Sequence, residues 1–157
     1  MDPTATGLVA GVLGTLVMDS LNRLFAGIGL ISRIDVGMIG RMSAGYARGR
    51  LRYRSPAEMT QVANEVLLGH IAHYAIGVGL ALVYVLGWDV LIGGPASPIW
   101  ALIYGVATTG VSYFVVFPCM GLGVLGKRSP EGIRAPASSL ANHLFYGVGM
   151  AIGIALA

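Results

Sequence analysis

Four long apolar segments alternate with polar links along the chain. The apolar segments cover about residues 5–31, 66–92, 99–125 and 138–157, and the longest polar link covers residues 32–65. A helix of about 20 apolar residues crosses the roughly 30 Å hydrocarbon core of a bilayer. The pattern therefore predicts an all-α fold: one integral membrane bundle of four transmembrane helices over residues 1–157.

The basic residues predict how this bundle is oriented. Six arginines lie in residues 32–65 and three basic residues lie between the third and fourth segments, whereas none precedes the first segment or separates the second from the third. Basic links stay in the cytoplasm, so both termini are expected outside. Only 11 % of the residues are charged, against about 25 % in soluble domains, which agrees with a membrane protein.

The basic link is predicted to lie at the membrane surface. Two tyrosines, Tyr46 and Tyr53, are interleaved with its six arginines, and beside a membrane such a stretch is expected to contact anionic lipid headgroups rather than nucleic acid. Residues 36–46 are predicted to form a short interfacial helix, and the Ser55-Pro56-Ala57-Glu58 pattern is typical of a helix start, which would begin the second long helix early. The expected headgroup contacts are Arg41, Arg48, Arg50, Arg52 and Arg54.

Two short stretches, 70 residues apart, share the pattern H-x-x-x-G-x-G. They begin at His73 and His143, near the start of the second and fourth segments. Each histidine lies one helical turn before a glycine, which permits close approach of another group. Each half of the chain thus consists of an inward helix, a basic link and an outward helix with this motif, so we predict a parallel two-fold repeat of helix pairs.

Ionisable residues cluster at one predicted depth. Asp19 comes late in an inward helix, whereas Glu65, His70, His73 and His143 come early in outward ones, so all fall in the cytoplasmic half. Such groups are costly inside a membrane unless they are paired. We predict a site that binds a divalent ion (Zn, Fe or Mn), with His73 and His143 as ligands, Asp19 as the balancing carboxylate, and Glu65 and His70 as further ligands.

Other uses of these groups stay open. The histidines and carboxylates could pass protons, so metal binding could be coupled to ion or proton transport, or His73 and His143 could bind one haem b between them, with Gly77 and Gly147 giving the ring room. Each histidine could also simply bond a helix end or a loop carbonyl. The residues expected in a proton relay or around the ligands are Asn22, Arg23, Asn142, Cys119 and Met120, with an ion pair between Asp19 and Arg23.

The sequence leaves more than one alternative open for the partners and the activity of the protein. Transport through so few helices would favour a homodimer, for which Gly149-x-x-x-Gly153 offers a small-residue face. A structural or assembly subunit of a larger membrane complex is a further alternative. Enzyme activity is not favoured, because no nucleophile with an obvious base stands out.

The chain resembles a family of short bacterial inner-membrane proteins known only as a domain of unknown function. The resemblance rests on motifs spread over nearly the whole chain. It implies four transmembrane helices and a place in the bacterial inner membrane, and it implies no activity. With the orientation expected from the basic residues, both termini would be periplasmic. The matching residues are Gly40-Arg41, Gly49-Arg50, Glu65, Gly69, His73-Tyr74, Pro118, Met120-Gly121, Gly123, Ser129-Pro130, Leu140, His143 and Gly147.

Overall fold

A computed structural model describes all residues, 1–157, and contains five helices of more than three residues. Helix α1 covers Pro3–Gly27, α2 covers Val36–Ala47, α3 covers Glu65–Leu91, α4 covers Pro98–Cys119 and α5 covers Arg134–Ala155. The all-α prediction is confirmed. Three of these helices, α1, α3 and α4, are long and apolar enough to cross a membrane.

The helix boundaries depart from the prediction at several points. Helix α1 ends four residues earlier than predicted, before a turn at Gly29, and α4 ends at Cys119 because the chain turns at Gly121. The predicted helix start at Ser55 is wrong, since residues 56–58 form a single 3₁₀ turn and α3 begins only at Glu65. The short interfacial helix is present as α2. The fourth predicted segment is a helix, but it is not among the three that are apolar enough to span by composition.

Helix α1 lies at the centre of the bundle, between α3 and α5. Its buried face consists mainly of small residues, Gly7, Ala10, Gly11, Gly14 and Thr15. Small residues let helix backbones approach closely, and a Cβ at Gly11 would lie 2.5 Å from the Val78 Cα of α3. The bundle therefore holds together by close backbone packing around α1.

The remaining helices flank this central unit. Helix α5 packs against α1 on one side and α4 on the other, and α2 packs against the start of α3. The order around the bundle is thus α3, α1, α5, α4, which brings α4 back beside α3, with α2 on the outer side of α3. Helices α3 and α4 meet chiefly through aromatic side chains: the rings of Tyr84 and Tyr104 lie 5.1 Å apart, and the Tyr104 hydroxyl donates to the Leu80 carbonyl at 3.0 Å.

The predicted two-fold repeat is not confirmed. A parallel repeat would relate α1 to α4 and α3 to α5, so the extensive α1–α5 packing should have a counterpart between α4 and α3. The helices α3 and α4 lack such packing. The space that this leaves between them, at the end of the bundle that carries α2, is the cavity described below.

Candidate functional site

Asp19 and His73 form a largely buried pair between α1 and α3. The His73 Nε2 lies 3.0 Å from the Asp19 Oδ1, and the side chains are 12 % and 11 % exposed. The two helices can bring these groups together because Gly77 lies directly against Thr15 one turn away, where a Cβ would overlap the threonine hydroxyl. An ionised carboxylate only accepts hydrogen bonds, so His73 donates through Nε2–H and, while neutral, keeps its Nδ1 lone pair free.

His143 is held by two hydroxyl groups of α4. Its Nδ1 lies 2.8 Å from the Thr108 Oγ1, and its Nε2 lies 2.9 Å from the Ser112 Oγ. The Thr108 hydroxyl has one hydrogen, which it donates to the Gly105 carbonyl at 2.5 Å, so it accepts from His143. The hydrogen of a neutral His143 imidazole is therefore on Nδ1, and Nε2 accepts from Ser112.

Asn22 connects α1, the α1–α2 link and α5. Its amide nitrogen donates to the Ser32 carbonyl and to the Asn142 Oδ1, both at 3.0 Å, and its oxygen accepts from the Ile34 backbone amide at 3.1 Å. The side chain is 2 % exposed. Asn142 directly precedes His143 on α5. Through these bonds Asn22 fixes the side chain of Asn142 and holds the α1–α2 link against the end of the bundle.

A cavity of about 440 Å³ connects these groups. It lies between α3 and α4, with α1 and α5 behind it and α2 and the links at its mouth. His73, Ser112, Asn142 and His143 all line it, whereas most of the remaining wall is apolar. Much of that apolar wall is flexible thioether or branched aliphatic side chain, from Met18, Ile34, Met38, Ile39, Met42, Ile76, Leu80, Val111, Val116, Met120 and Leu122.

The other predicted metal ligands do not join His73. Glu65 forms a two-pronged ion pair with Arg41 of α2, with both nitrogen–oxygen distances at 2.8 Å. This hydrogen bond raises the pKa of the Arg41 guanidinium above its ordinary value. His70 is half-buried without a hydrogen bond to another side chain, and both nitrogens of His143 are occupied by hydroxyls. No group of three or more His, Cys, Asp or Glu side chains is placed to hold a metal ion.

Three residues predicted in a proton relay or around the ligands, Arg23, Cys119 and Met120, have other roles in the structure. Arg23 is exposed and makes no ion pair with Asp19, because the carboxylate is directed toward His73. Met120 lines the cavity within a small apolar cluster, and the half-buried Cys119 packs against the same cluster. The Cys119 carbonyl accepts from the Tyr53 amide at 2.9 Å, which fastens the basic link to α4.

The arginines predicted to contact lipid fall into two groups. Arg41 is committed to Glu65, and Arg50 bonds Glu58 at 2.7 Å while its guanidinium lies 4.2 Å from the Tyr53 ring centre. The other three are exposed and make no ion pair: Arg48, Arg52 and Arg54. These three, together with the exposed outer face of Arg50, are the ones available to a membrane surface.

Three of the four glycines in the two H-x-x-x-G-x-G motifs lie at helix contacts, whereas Gly79 has no neighbour within 4 Å. Gly77 faces Thr15 of α1, and Gly147 faces Gly105 of α4, so each first glycine admits a neighbouring helix. The Thr15 side chain lies against Gly77, and the backbone of Leu102 and Gly105 lies against Gly147. Gly149 and Gly153, expected at a dimer face, are instead buried against Gly14 and Ala10 of α1.

Sequence reasoning missed the two hydroxyl partners of His143. Thr108 and Ser112 are spaced four residues apart, which puts them on one face of α4. They also lie at the depth of His143 in the neighbouring antiparallel helix. That spacing is a usable signal, but hydroxyls in apolar helices commonly bond their own backbone, so the spacing alone did not identify an imidazole as the partner.

Comparison with known proteins gives one match. A family model described as "Protein of unknown function (DUF2938)" matches residues 8–157. No curated protein and no solved structure matches the chain.

Proposed function

We propose a function for this chain, which belongs to the DUF2938 family, from the geometry of its cavity. In this proposal the protein crosses the bacterial inner membrane four times and holds a small amphipathic molecule between α3 and α4. His73, backed by Asp19, exchanges a proton with that molecule. The observation that carries the proposal is an imidazole oriented by a carboxylate at the wall of a largely apolar cavity.

The four-span arrangement adds α5 to the three apolar helices. At 1.5 Å per residue, the 22 residues of α5 measure about 33 Å, enough for the roughly 30 Å hydrocarbon core. Two polar side chains of α5 face the bundle rather than lipid, because Asn142 bonds Asn22 and His143 bonds Thr108 and Ser112. The basic link supports a cytoplasmic position for the α2 end and a periplasmic one for both termini.

Three features of the cavity support an amphipathic ligand. Its volume of about 440 Å³ falls in the range of small-molecule sites, roughly 300–1,000 Å³. Its wall is mainly apolar, with four methionines that can adapt to an irregular shape. Since α3 and α4 are not packed together beside it, a molecule dissolved in the bilayer can reach it from the side.

The arrangement of His73 supports proton exchange. Its Nε2–H is fixed by Asp19, so the nitrogen left for a ligand is Nδ1. A proton accepted at Nδ1 produces an imidazolium that already touches a carboxylate, which avoids leaving an unpaired charge in an apolar site. The Asp19–His73 pair can thus hold or release a proton at the edge of the cavity.

The proposal is tested by the small molecules that copurify with the protein. Protein purified from bacterial membranes in a mild detergent is extracted, and bound compounds are quantified by mass spectrometry. Ile76→Trp fills the cavity from α3, whereas Ile71→Trp places the same ring on the exposed side of α3 as a matched control. We expect about one equivalent of a compound in the native protein and the control, and its loss in Ile76→Trp. Equal amounts in the two variants, or no compound in the native protein, would overturn the proposal.

A divalent metal ion is the second candidate occupant. Histidine ligands of metals commonly donate their other N–H to a carboxylate, as His73 does to Asp19, which leaves Nδ1 as the ligand atom. With so few protein ligands, water or a bound molecule would complete the coordination. Transport of the ion or of protons would then depend on the same pair.

Elemental analysis distinguishes this candidate from a purely organic ligand. We expect zinc, iron or manganese to copurify near one equivalent if the candidate is right, and to be lost in His73→Ala but retained in His70→Ala, since His70 does not line the cavity. A metal content equal to that of a buffer control would exclude it. The haem and assembly-subunit alternatives stay predictions.

A further inference from the structure

Ser112 is a second chemical group on the cavity wall, which the proposed function does not use. It lies at the start of a π-helical turn, Ser112–Val116, and is half-buried. Its hydroxyl oxygen is 2.9 Å from the His143 Nε2. A serine and a histidine at hydrogen-bond distance, beside a cavity, form the minimal pair from which an activated nucleophile is built.

The direction of the hydrogen bonds decides whether His143 can act as a base. Because Thr108 gives its hydrogen to the Gly105 carbonyl, it can only accept at His143, so Nδ1 carries the imidazole hydrogen. The Nε2 lone pair then faces Ser112 and accepts its hydrogen. The Thr108 hydroxyl, held by the Gly105 carbonyl, thus fixes the tautomer of His143 and orients its ring, which are two of the tasks of the carboxylate in a full triad.

A further hydrogen-bond donor lies on the same wall. The Asn142 Oδ1 accepts from Asn22, which orients the amide so that its oxygen points into the bundle. Its NH₂ group makes no hydrogen bond within the protein, yet the chain contains no fully buried side-chain nitrogen or oxygen without a partner. The Asn142 NH₂ is therefore accessible, and since Asn142 lines the cavity, it is available to a developing oxyanion there.

We propose that Ser112 attacks the carbonyl carbon of an acyl ester bound in the cavity. This inference rests on the proposed function, because it needs an amphipathic molecule in the same space, and it assigns the ligand to the esters. The bond from Ser112 Oγ to the carbonyl carbon forms while the hydroxyl proton passes to His143 Nε2. The ester bond then breaks, and the leaving alcohol takes that proton. Water releases the acyl group by the same route, with His143 again accepting and returning a proton.

An alkyl fluorophosphonate tests this reactivity without knowledge of the natural ester. Attack by Ser112 on its phosphorus expels fluoride and leaves a stable adduct, which intact-protein and peptide mass spectrometry locate. Ser139→Ala is the matched control, since Ser139 lines the same cavity without a histidine partner. We expect labelling of Ser112 in the native protein and in Ser139→Ala, and labelling slowed at least tenfold in His143→Gln.

Three outcomes would overturn the inference. These are the absence of an adduct in the folded native protein, an adduct at a residue other than Ser112, and equal labelling of the native protein and His143→Gln. Folding of each variant is checked by its helical circular dichroism and its elution as a single species. If the native protein retains the copurifying compound but fails to label, only the nucleophile is refuted. If the compound itself is absent, the proposed function fails.

Thr108 acts as a positioning residue in this scheme, which allows a test that a general loss of packing would not mimic. Thr108→Val keeps the shape of the side chain but removes the acceptor for His143 Nδ1–H, whereas Thr108→Ser restores it. We expect slow fluorophosphonate labelling in the valine variant and recovery in the serine variant. Equal labelling in both would show that the tautomer of His143 is not controlled by this hydroxyl.

Discussion

Replacing Asn22 by alanine should destabilise the protein more than other polar substitutions in α1. The side chain is 2 % exposed and makes three hydrogen bonds, to Ser32, Ile34 and Asn142. Each contributes a net of about 1 kcal/mol, so their loss costs about 3 kcal/mol, and partners left unpaired in a buried site add to this. For a chain of this size, a change of 1 kcal/mol shifts the melting temperature by about 2–4 °C, which gives a decrease of at least about 6 °C.

Thermal unfolding in detergent, followed by helical circular dichroism, measures this effect. Ser20→Ala is the control, because Ser20 is on the exposed side of the same helix and bonds only the Leu16 carbonyl, at 2.8 Å. We expect the control to change the free energy of unfolding by no more than about 0.5 kcal/mol. A melting temperature of Asn22→Ala within about 2 °C of the native value would refute the reasoning, since it would mean that the three bonds are replaced at no cost.

Three further predictions follow from the packing and the hydrogen bonds. Gly77→Ala should lower the free energy of unfolding by about 1–3 kcal/mol, because its Cβ would overlap a buried threonine. Gly79→Ala has nothing within 4 Å, so it should leave that free energy unchanged or raise it by up to about 1 kcal/mol. Similar melting temperatures for the two variants would contradict this. Arg41→Gln and Glu65→Gln should each destabilise the protein, and a double-mutant cycle should give a non-additive result, with additivity showing that the pair contributes nothing. Nitrogen-15 NMR should find neutral His73 protonated at Nε2, and the Nδ1–H tautomer would contradict its bond to a carboxylate.

The helices could be predicted because their signal is local. Long apolar stretches bounded by glycine, proline and charged residues located four of the five helices, and the predicted second segment, 66–92, differs from α3 by one residue at each end. Boundaries set by turn geometry were less accurate. The early end of α4 depends on a positive φ of 82° at Gly121, whose close contact is with Ser55 in a distant part of the chain.

The site could be predicted only in part. Topology indicates how deep along its helix each residue lies, but it does not indicate which neighbouring helix the side chain faces. Antiparallel neighbours brought Asp19 to the level of His73, as expected. Glu65 lies on the same helix as His73, but eight residues correspond to about 12 Å, and it pairs with Arg41 of α2 instead. The arginines of the basic link are expected to contact lipid headgroups, and the sequence alone does not indicate that Arg41 pairs with Glu65.

The contact between α3 and α4 is the weakest between neighbouring long helices of the bundle, and we call it the seam. The six residues that join the helices, 92–97, include Gly93 and Gly94 at positive φ, a conformation that glycine adopts without strain. Two hydrogen bonds cross this side of the bundle, from Tyr104 to the Leu80 carbonyl and from Tyr84 to the Ser97 carbonyl directly before α4. With the contact between the rings of Tyr84 and Tyr104, they are together worth about 2–4 kcal/mol. The glycine-packed contacts of α1 with α3 and α5 lie apart from this weak contact, so a separation of α3 from α4 would leave the packing around α1 in place.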